Sequence, residues 1–365
     1  MIDALSQFCA IHTALSLAIF GILIGSIFGA LIERTGFCAM GGVADAIILS
    51  DNRRLLSWFL ASAIAILGAL ALINLGITEF EKSRYLSSPI NLIGNIIGGF
   101  IFGIGMALTG GCVSKTIVRA ATGDIRAAIL LGVVAFFAFI TLTGVFAPMR
   151  VALVQMTSID PTDLGAPTPA LPDLMAATFA LNHDALWQLT PLAIAGVIIA
   201  YAMSDSHFRR SPRQIIAGIG VGLCVTMAWA VTGLAYDELA LTPNPPTSLS
   251  FVAPVGDTFE WLRRFTALDV LPRFSVALVI GTLLGAFLSA TLAHRFHFTT
   301  FADTPDTLRS LGGAALMGIG GILAQGCTIG QGVSGTSTLA IGSFVSIAAM
   351  IAGSAISVCA MKRWA

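Results

Sequence analysis

Residues 103–112 read GIGMALTGGC, and residues 318–327 read GIGGILAQGC. Both fit one pattern, G-I-G-x-x-L-x-x-G-C, and both close on a cysteine, Cys112 and Cys327. A ten-residue match between two distant parts of one chain is hard to attribute to glycine content alone. A glycine-interrupted apolar segment repeated in corresponding places of two halves points to a binding site built at helix breaks inside a membrane. The shared cysteine places sulfur at that break.

Composition sets the class. Of 365 residues, 56% are hydrophobic and only 10% are charged, where a soluble domain would carry about a quarter charged residues. Several apolar runs reach the length of about 20 residues that a helix needs to cross a bilayer. The chain therefore reads as an all-α polytopic membrane protein. Its formal net charge is zero, which gives no basis for a nucleic-acid partner. The opening residues, MIDALSQFCA, lack the positive n-region of a cleaved signal peptide, so the first hydrophobic helix is expected to be retained.

Working outward from the two repeats, candidate spans fall at 12–36, 55–77, 91–110, 127–147, 188–204, 214–234, 274–293, 311–325 and 341–361, about nine in all. The spans at 91–110 and 311–325 stop at Gly-Cys. Each is followed by a short polar piece, VSKTIVRAAT (113–122) and TIGQGVSGTST (328–338). Each pair is expected to form a discontinuous helix with its cysteine at the break. Irregular backbone at membrane depth survives only where it is buried in protein or lines a polar cavity.

Charge sets the orientation. Segments 50–54, 119–126, 205–213, 294–310 and 362–365 hold eleven basic and five acidic residues; the alternate segments hold six basic and twelve acidic. The positive-inside rule then puts the C-terminus in the cytoplasm and, over nine crossings, the N-terminus outside. The two Gly-Cys breaks fall on stretches running in opposite directions. A weaker match pairs GILIG (21–25) and Thr35-Gly36 with GIGVG (218–222) and Thr232-Gly233. The expected organisation is one membrane transport domain over 1–365. It contains two inverted four-span repeats, about 12–147 and 214–361, joined by a linker span at about 188–204.

Six cysteines occur, and no two form a C-x-x-C pair, which removes zinc-ribbon and thioredoxin readings. Cys38, Cys112 and Cys327 follow glycine or Gly-Phe at breaks in the apolar runs. Cys9, Cys224 and Cys359 lie in or beside uninterrupted apolar stretches and read as small hydrophobes. The histidines sit at span ends or in loops, so no metal site and no cofactor are expected. The long segments 148–187 and 235–273 are proline-rich and read as lids or surface decoration without chemistry of their own.

Three stretches, GFCAMGG (36–42), GGCVSKTIVRA (110–120) and GCTIGQGVSG (326–335), resemble the sulfur-transport motifs of the YeeE/YedE family. The resemblance runs from about residue 12 to 361. It implies a bacterial inner-membrane protein that takes up thiosulfate or a related inorganic sulfur anion. It also implies a central pathway lined by three cysteines, here Cys38, Cys112 and Cys327. A cytoplasmic sulfur carrier or sulfurtransferase would consume the product. Some members of that family handle other sulfur or selenium species.

Physical chemistry gives these residues roles. A divalent anion at mid-membrane costs a few kcal/mol per charge unless partners compensate. Short helices that begin at the breaks expose free N–H groups and a partial positive charge, and neutral thiols add weak, polarizable S–H donors. Gly36, Gly110, Gly111 and Gly326 permit sharp turns and close backbone approach, or serve helix packing. Lys115 attracts anions or snorkels to the interface. Gln325, Gln331, Thr116 and Ser334 are candidate polar liners, and Glu33 either pairs or carries protons. Two other readings remain open at this level: a membrane enzyme transferring sulfur through a cysteine persulfide, and a soft-metal transporter.

Overall fold

The computed structural model describes residues 13–179, 182–236, 244–265, 271–301 and 304–364; Cys9 lies outside them. Among the described residues the architecture is helical, and extended pairing is limited to isolated bridges such as Ile90 with Ile159 and Ala170 with Ala340. In chain order the helices are α1 (Thr13–Thr35), α2 (Ala39–Ile48), α3 (Arg53–Asn74), α4 (Leu92–Thr109), α5 (Val113–Ala121), α6 (Ile125–Leu142), α7 (Ala147–Thr157), α8 (Leu171–Phe179), α9 (His183–Ser204), α10 (Ser206–Arg209), α11 (Pro212–Leu234), α12 (Val252–Arg263), α13 (Phe274–Leu292), α14 (Thr304–Leu323) and α15 (Ile341–Trp364).

Eight helical stretches among the described residues are long and apolar enough to cross a membrane. This is a multi-pass membrane protein. The eight include all the expected spans except 311–325. That segment lies in α14, whose first turns carry Asp306 and Arg309 and so dilute its apolarity. Outward faces match a lipid solvent: along α1, Leu15, Ile19, Leu23 and Ile27 recur every fourth residue and are all exposed, one continuous apolar stripe.

The interior is assembled from helix pairs. α1 packs along α13, α3 along α11, α4 along both α14 and α15, and α6 along α14. Glycines set the closest of these approaches. A methyl group at Gly25 or Gly29 of α1 would collide with the backbone of Leu278 or Thr282 on α13, and one at Gly281 or Gly285 would collide with Ile22 or Ser26. Small residues at helix interfaces let backbones meet in this way where no hydrophobic force drives association. The core is one contiguous cluster that contains Phe28, Trp58, Phe102, Trp229, Phe251 and the buried cysteines 38, 112, 224 and 327. Cys359, read from sequence as a small core residue, is exposed on α15 instead.

Several charged residues near the helix ends form ion pairs. Glu33, 6% exposed, binds Arg295 at 3.2 Å and accepts from Ser289 Oγ at 2.8 Å. Arg119 pairs with Asp124 at 2.6 Å, and Arg126 with Asp306 at 2.7 Å. Glu33, whose role the sequence left open, is thus an ion-pair partner.

Segment 235–273, read as a lid or decoration, contains a helix, α12, over Val252–Arg263. The polar piece after Cys327 also differs from a plain half-helix. It winds as a π-helical turn over Gly330–Gly335: Ser334 N–H reaches the Ile329 carbonyl at 3.0 Å, five residues back. Single π turns of this kind are wide and favour functional positions.

Candidate functional site

The three cysteines sit in three turns of one design. In each, a helix ends on a residue in the left-handed conformation, and the cysteine follows two positions later. α1 ends before Gly36 (φ 71°), two residues ahead of Cys38; α4 ends before Gly110 (φ 73°), two ahead of Cys112. The third turn follows α14 and places Gln325 (φ 60°) two ahead of Cys327. Left-handed geometry at the end of a helix satisfies its last carbonyls and turns the chain sharply. Glycine adopts it without steric cost, while a residue with a Cβ is strained by about 1–2 kcal/mol.

Each cysteine then opens the next element. Cys38 is the N-cap of α2, and its Sγ accepts from the Gly41 N–H at 3.4 Å. Cys327 stands three residues ahead of the π turn, and its Sγ accepts from the N–H of Gly330, the turn's first residue, at 3.3 Å. Cys112 is the N-cap of α5, and its sulfur lies 3.2 Å from Ser114 Oγ. These positions hold sulfur against the N–H ends of short helices, where anions are stabilised. The Cys38 and Cys112 sulfurs stand 3.9 Å apart, within sulfur hydrogen-bonding reach. All three thiols are about 1% exposed.

The first turn is clamped from outside. Arg54 donates to the Gly36 carbonyl at 2.8 Å and pairs with Asp45 at 2.9 Å. The guanidinium therefore ties the left-handed turn to α2. Asp51 forms a fork with Arg53 nearby, and the hydrogen bonds from Arg53 hold that carboxyl below its usual range.

The other sequence-selected residues take varied places. Gly111 is not left-handed; a Cβ there would only touch the Lys115 stem at 3.5 Å. Gly326 faces Gln331, where a Cβ would press within 3.1 Å of Cγ, so its role is close approach. Gln331 is buried and fully engaged: its Nε2 donates to the Ala324 carbonyl at 2.7 Å, and its Oε1 accepts from Ser343 at 2.6 Å. It clasps the Cys327 turn shut. Lys115 stands on the first turn of α5, near enough to Cys38 for electrostatic interaction. The structure brings Cys38, Cys112 and Lys115 together; Cys327, Gly326, Gln325 and Gln331 form a second group in the same core.

Several neighbours escaped the sequence reading. A cavity of about 430 Å³ opens toward the Cys327 turn, lined by Arg84, Tyr85, Thr232, Ser248, Ser250, Asp257, Arg273 and Gln325. Most of these come from segments 78–90 and 235–273, the latter expected to carry no chemistry. Two arginines and one carboxylate in one cavity make an anion-attracting basin. Burial pushes the Asp257 carboxyl up, against the pull of Arg273 and Arg84. Thr328, next to Cys327, has a buried hydroxyl with no hydrogen-bond partner among the described residues, a donor free for a ligand. Isolated arginines in loops and one threonine carry no sequence pattern that would have singled them out.

Comparison with known proteins agrees on a class. The family model for sulphur transport matches residues 34–356. The thiosulfate transporter TsuA of Escherichia coli (strain K12) is 26% identical over 359 residues, covering 93% of each chain. The thiosulfate transporter TsuA of Spirochaeta thermophila is 26% identical over 339 residues, covering 91% of this chain and 96% of its own length. The probable transporter YedE of Escherichia coli matches at 29% over 104 residues, covering 28% of this chain and 24% of its own.

Proposed function

The chain belongs to the sulphur-transport family, and on that premise we propose that it takes up thiosulfate, or a closely related inorganic sulfur anion, across the bacterial inner membrane. The observation that carries this reading is the recurrence of one turn at Cys38, Cys112 and Cys327, with the first two sulfurs 3.9 Å apart. In this reading the anion enters at the Arg84–Arg273 basin, meets the Cys327 turn, and passes the Cys38–Cys112 pair toward Lys115. Each thiol donates a weak S–H hydrogen bond to the soft terminal sulfur, and the N–H groups at the starts of α2, α5 and the π turn stabilise the charge. Weak donors suit transport, because a site that holds too tightly does not release. The remaining pathway liners are Gly36, Gly111, Gly326, Gln325 and Gln331.

The organisation behind it is a single transport domain of two inverted repeats broken at the Gly-Cys turns. The packing supports this reading. The first helix of one repeat (α1) pairs with the second of the other (α13), and the reciprocal pair, α3 with α11, forms as well. The third and fourth helices exchange likewise, α4 with α15 and α6 with α14. A two-fold axis lying in the membrane plane maps each pair onto its counterpart. The N-terminus lies outside and the C-terminus in the cytoplasm, where a sulfur carrier or sulfurtransferase receives the anion.

The test is growth of a bacterium unable to assimilate sulfate, on thiosulfate as sole sulfur source, with and without this protein. Growth that depends on the protein supports uptake; equal growth in both strains refutes it. Thiosulfate labelled separately at its two sulfurs then separates transport from sulfur transfer. Entry of both labels together is expected, whereas entry of the terminal sulfur alone, with a cysteine persulfide accumulating, identifies an enzyme.

A further inference from the structure

The open basin reaches Gln325 of the Cys327 turn, but the buried Cys327 thiol is not among the residues that line it. On one side lies the cavity of about 430 Å³; on the other, beside Gln331, lies a cavity of about 20 Å³. The second holds about one water molecule and is far too small for a tetrahedral sulfur oxyanion. Two residues line both cavities, Tyr85 and Gln325. Gln325 is part of the backbone turn itself, held left-handed at φ 60°. Tyr85 is different. It lies on an irregular segment between α3 and α4, and its ring rests edge-on near Trp229, with centroids 6.1 Å apart. Its hydroxyl makes one contact with the turn, donating to the Gly330 carbonyl at 2.7 Å. The N–H of that same Gly330 is bonded to Cys327 Sγ, so the phenol sits one peptide unit from the thiol.

We infer that Tyr85 is the gate and size filter between the basin and the Cys327 thiol, a role that rests on the transport reading above. Its ring fills the neck, and its hydroxyl latches the ring to the turn that presents the sulfur. Burial pushes the phenol up from its ordinary value, so the hydroxyl remains a donor throughout the physiological range. Opening needs the loss of one hydrogen bond and a swing of one side chain, with no movement of the helices.

The test reads access to Cys327 rather than transport. Purified full-length protein in detergent is treated with two methanethiosulfonates, the small methyl reagent and the larger anionic sulfonatoethyl reagent. In each reaction the cysteine sulfur attacks the reagent's sulfenyl sulfur, a mixed disulfide forms, and methanesulfinate leaves with the electron pair of the broken S–S bond. Mass spectrometry of the Cys327 peptide gives the rate at that residue. In the native protein the small reagent should react much faster than the large one. Tyr85→Phe keeps the ring and loses the latch, so both rates should rise about fivefold, the shift in population that one ordinary hydrogen bond represents. Tyr85→Ala should erase the difference between the two reagents. Rates unchanged in both variants overturn the gate. Should the alanine variant not fold, the phenylalanine variant decides alone: a rise supports the gate and an unchanged rate overturns it. If the rates change as expected while the native protein fails to support thiosulfate growth, the gate stands and the substrate assignment falls.

Discussion

Cys38 and Cys112 bring their sulfurs to 3.9 Å although 74 residues separate them in the chain. Cys38 and Cys112 are the N-cap residues of two different short helices, α2 and α5, and the contact ties the first turn to the second. A pair this close acts as a unit, and units of this kind give non-additive losses. Cys38→Ala and Cys112→Ala should each reduce thiosulfate uptake by about tenfold or more, about 1.4 kcal/mol of barrier. The double variant should be little worse than either single one. Uptake rates in vesicles check this, and losses that multiply would show two independent steps. Cys359→Ala, exposed on α15, should leave uptake unchanged.

Arg54 spans the Gly36 carbonyl and Asp45. Arg54→Ala removes a charge-assisted hydrogen bond and leaves that carbonyl without this donor. Since the side chain is 25% exposed, solvent screens part of the effect, and a loss of about 1 kcal/mol in stability is expected. Arg54→Lys should recover little, because one ammonium does not reproduce the fork. Thermal unfolding of the purified protein in detergent gives both values.

The left-handed residues should respond in opposite senses. Gly36→Ala forces a Cβ into φ 71° and should lower stability by about 1 kcal/mol. Gln325→Gly removes a Cβ from φ 60° and should raise it by about the same amount. A fall in melting temperature for Gln325→Gly would show that its side-chain contacts outweigh the backbone strain.

Asp257 gives the basin a pH dependence. Burial raises its pKa, Glu260 adds to the rise, and Arg273 and Arg84 oppose it. A raised carboxyl takes up its proton at a higher pH than usual. As pH falls through that raised value, Asp257 becomes neutral while both arginines stay charged, and the basin becomes more positive. Anion uptake at low substrate concentration should therefore rise as pH drops from neutrality toward the carboxylate range. Asp257→Asn should be faster at neutral pH and should flatten this part of the profile. The same sign holds for stability: the buried carboxyl favours the folded state while it is protonated, and that preference is lost as pH rises through its folded-state pKa. A profile with the same slope in both proteins would remove Asp257 from the account.

Much of the frame was legible because it follows from local rules. Apolar runs of bilayer length locate the helices, and the glycine that precedes each of Cys38, Cys112 and Cys327 by one or two residues locates the three turns. Where the reading fell short, the determinants were non-local. The segment 311–325 belongs to α14, which begins at Thr304 among polar residues. At the third turn the sequence favoured Gly326, yet Gln325 takes the left-handed conformation, because spacing from the cysteine governs the turn and glycine content does not. Nothing in the local sequence of Arg84, Tyr85, Asp257 or Arg273 says that two distant segments fold over one cavity. The 3.9 Å approach of Cys38 to Cys112 likewise depends on how α2 and α5 are set by their neighbours.

The glycine contacts between α1 and α13 bind the beginning of the chain to its later half, backbone against backbone. A cycle in which one half rocks past the other would have to shift or break these contacts. With Tyr85 as the gate proposed above, permeation would be governed by side-chain rotation within a frame held at these contacts. Its speed should follow the nanosecond-to-microsecond motions of rings and loops rather than the slower rearrangement of domains, and its kinetics should resemble those of a channel with a narrow door more than those of a rocking carrier.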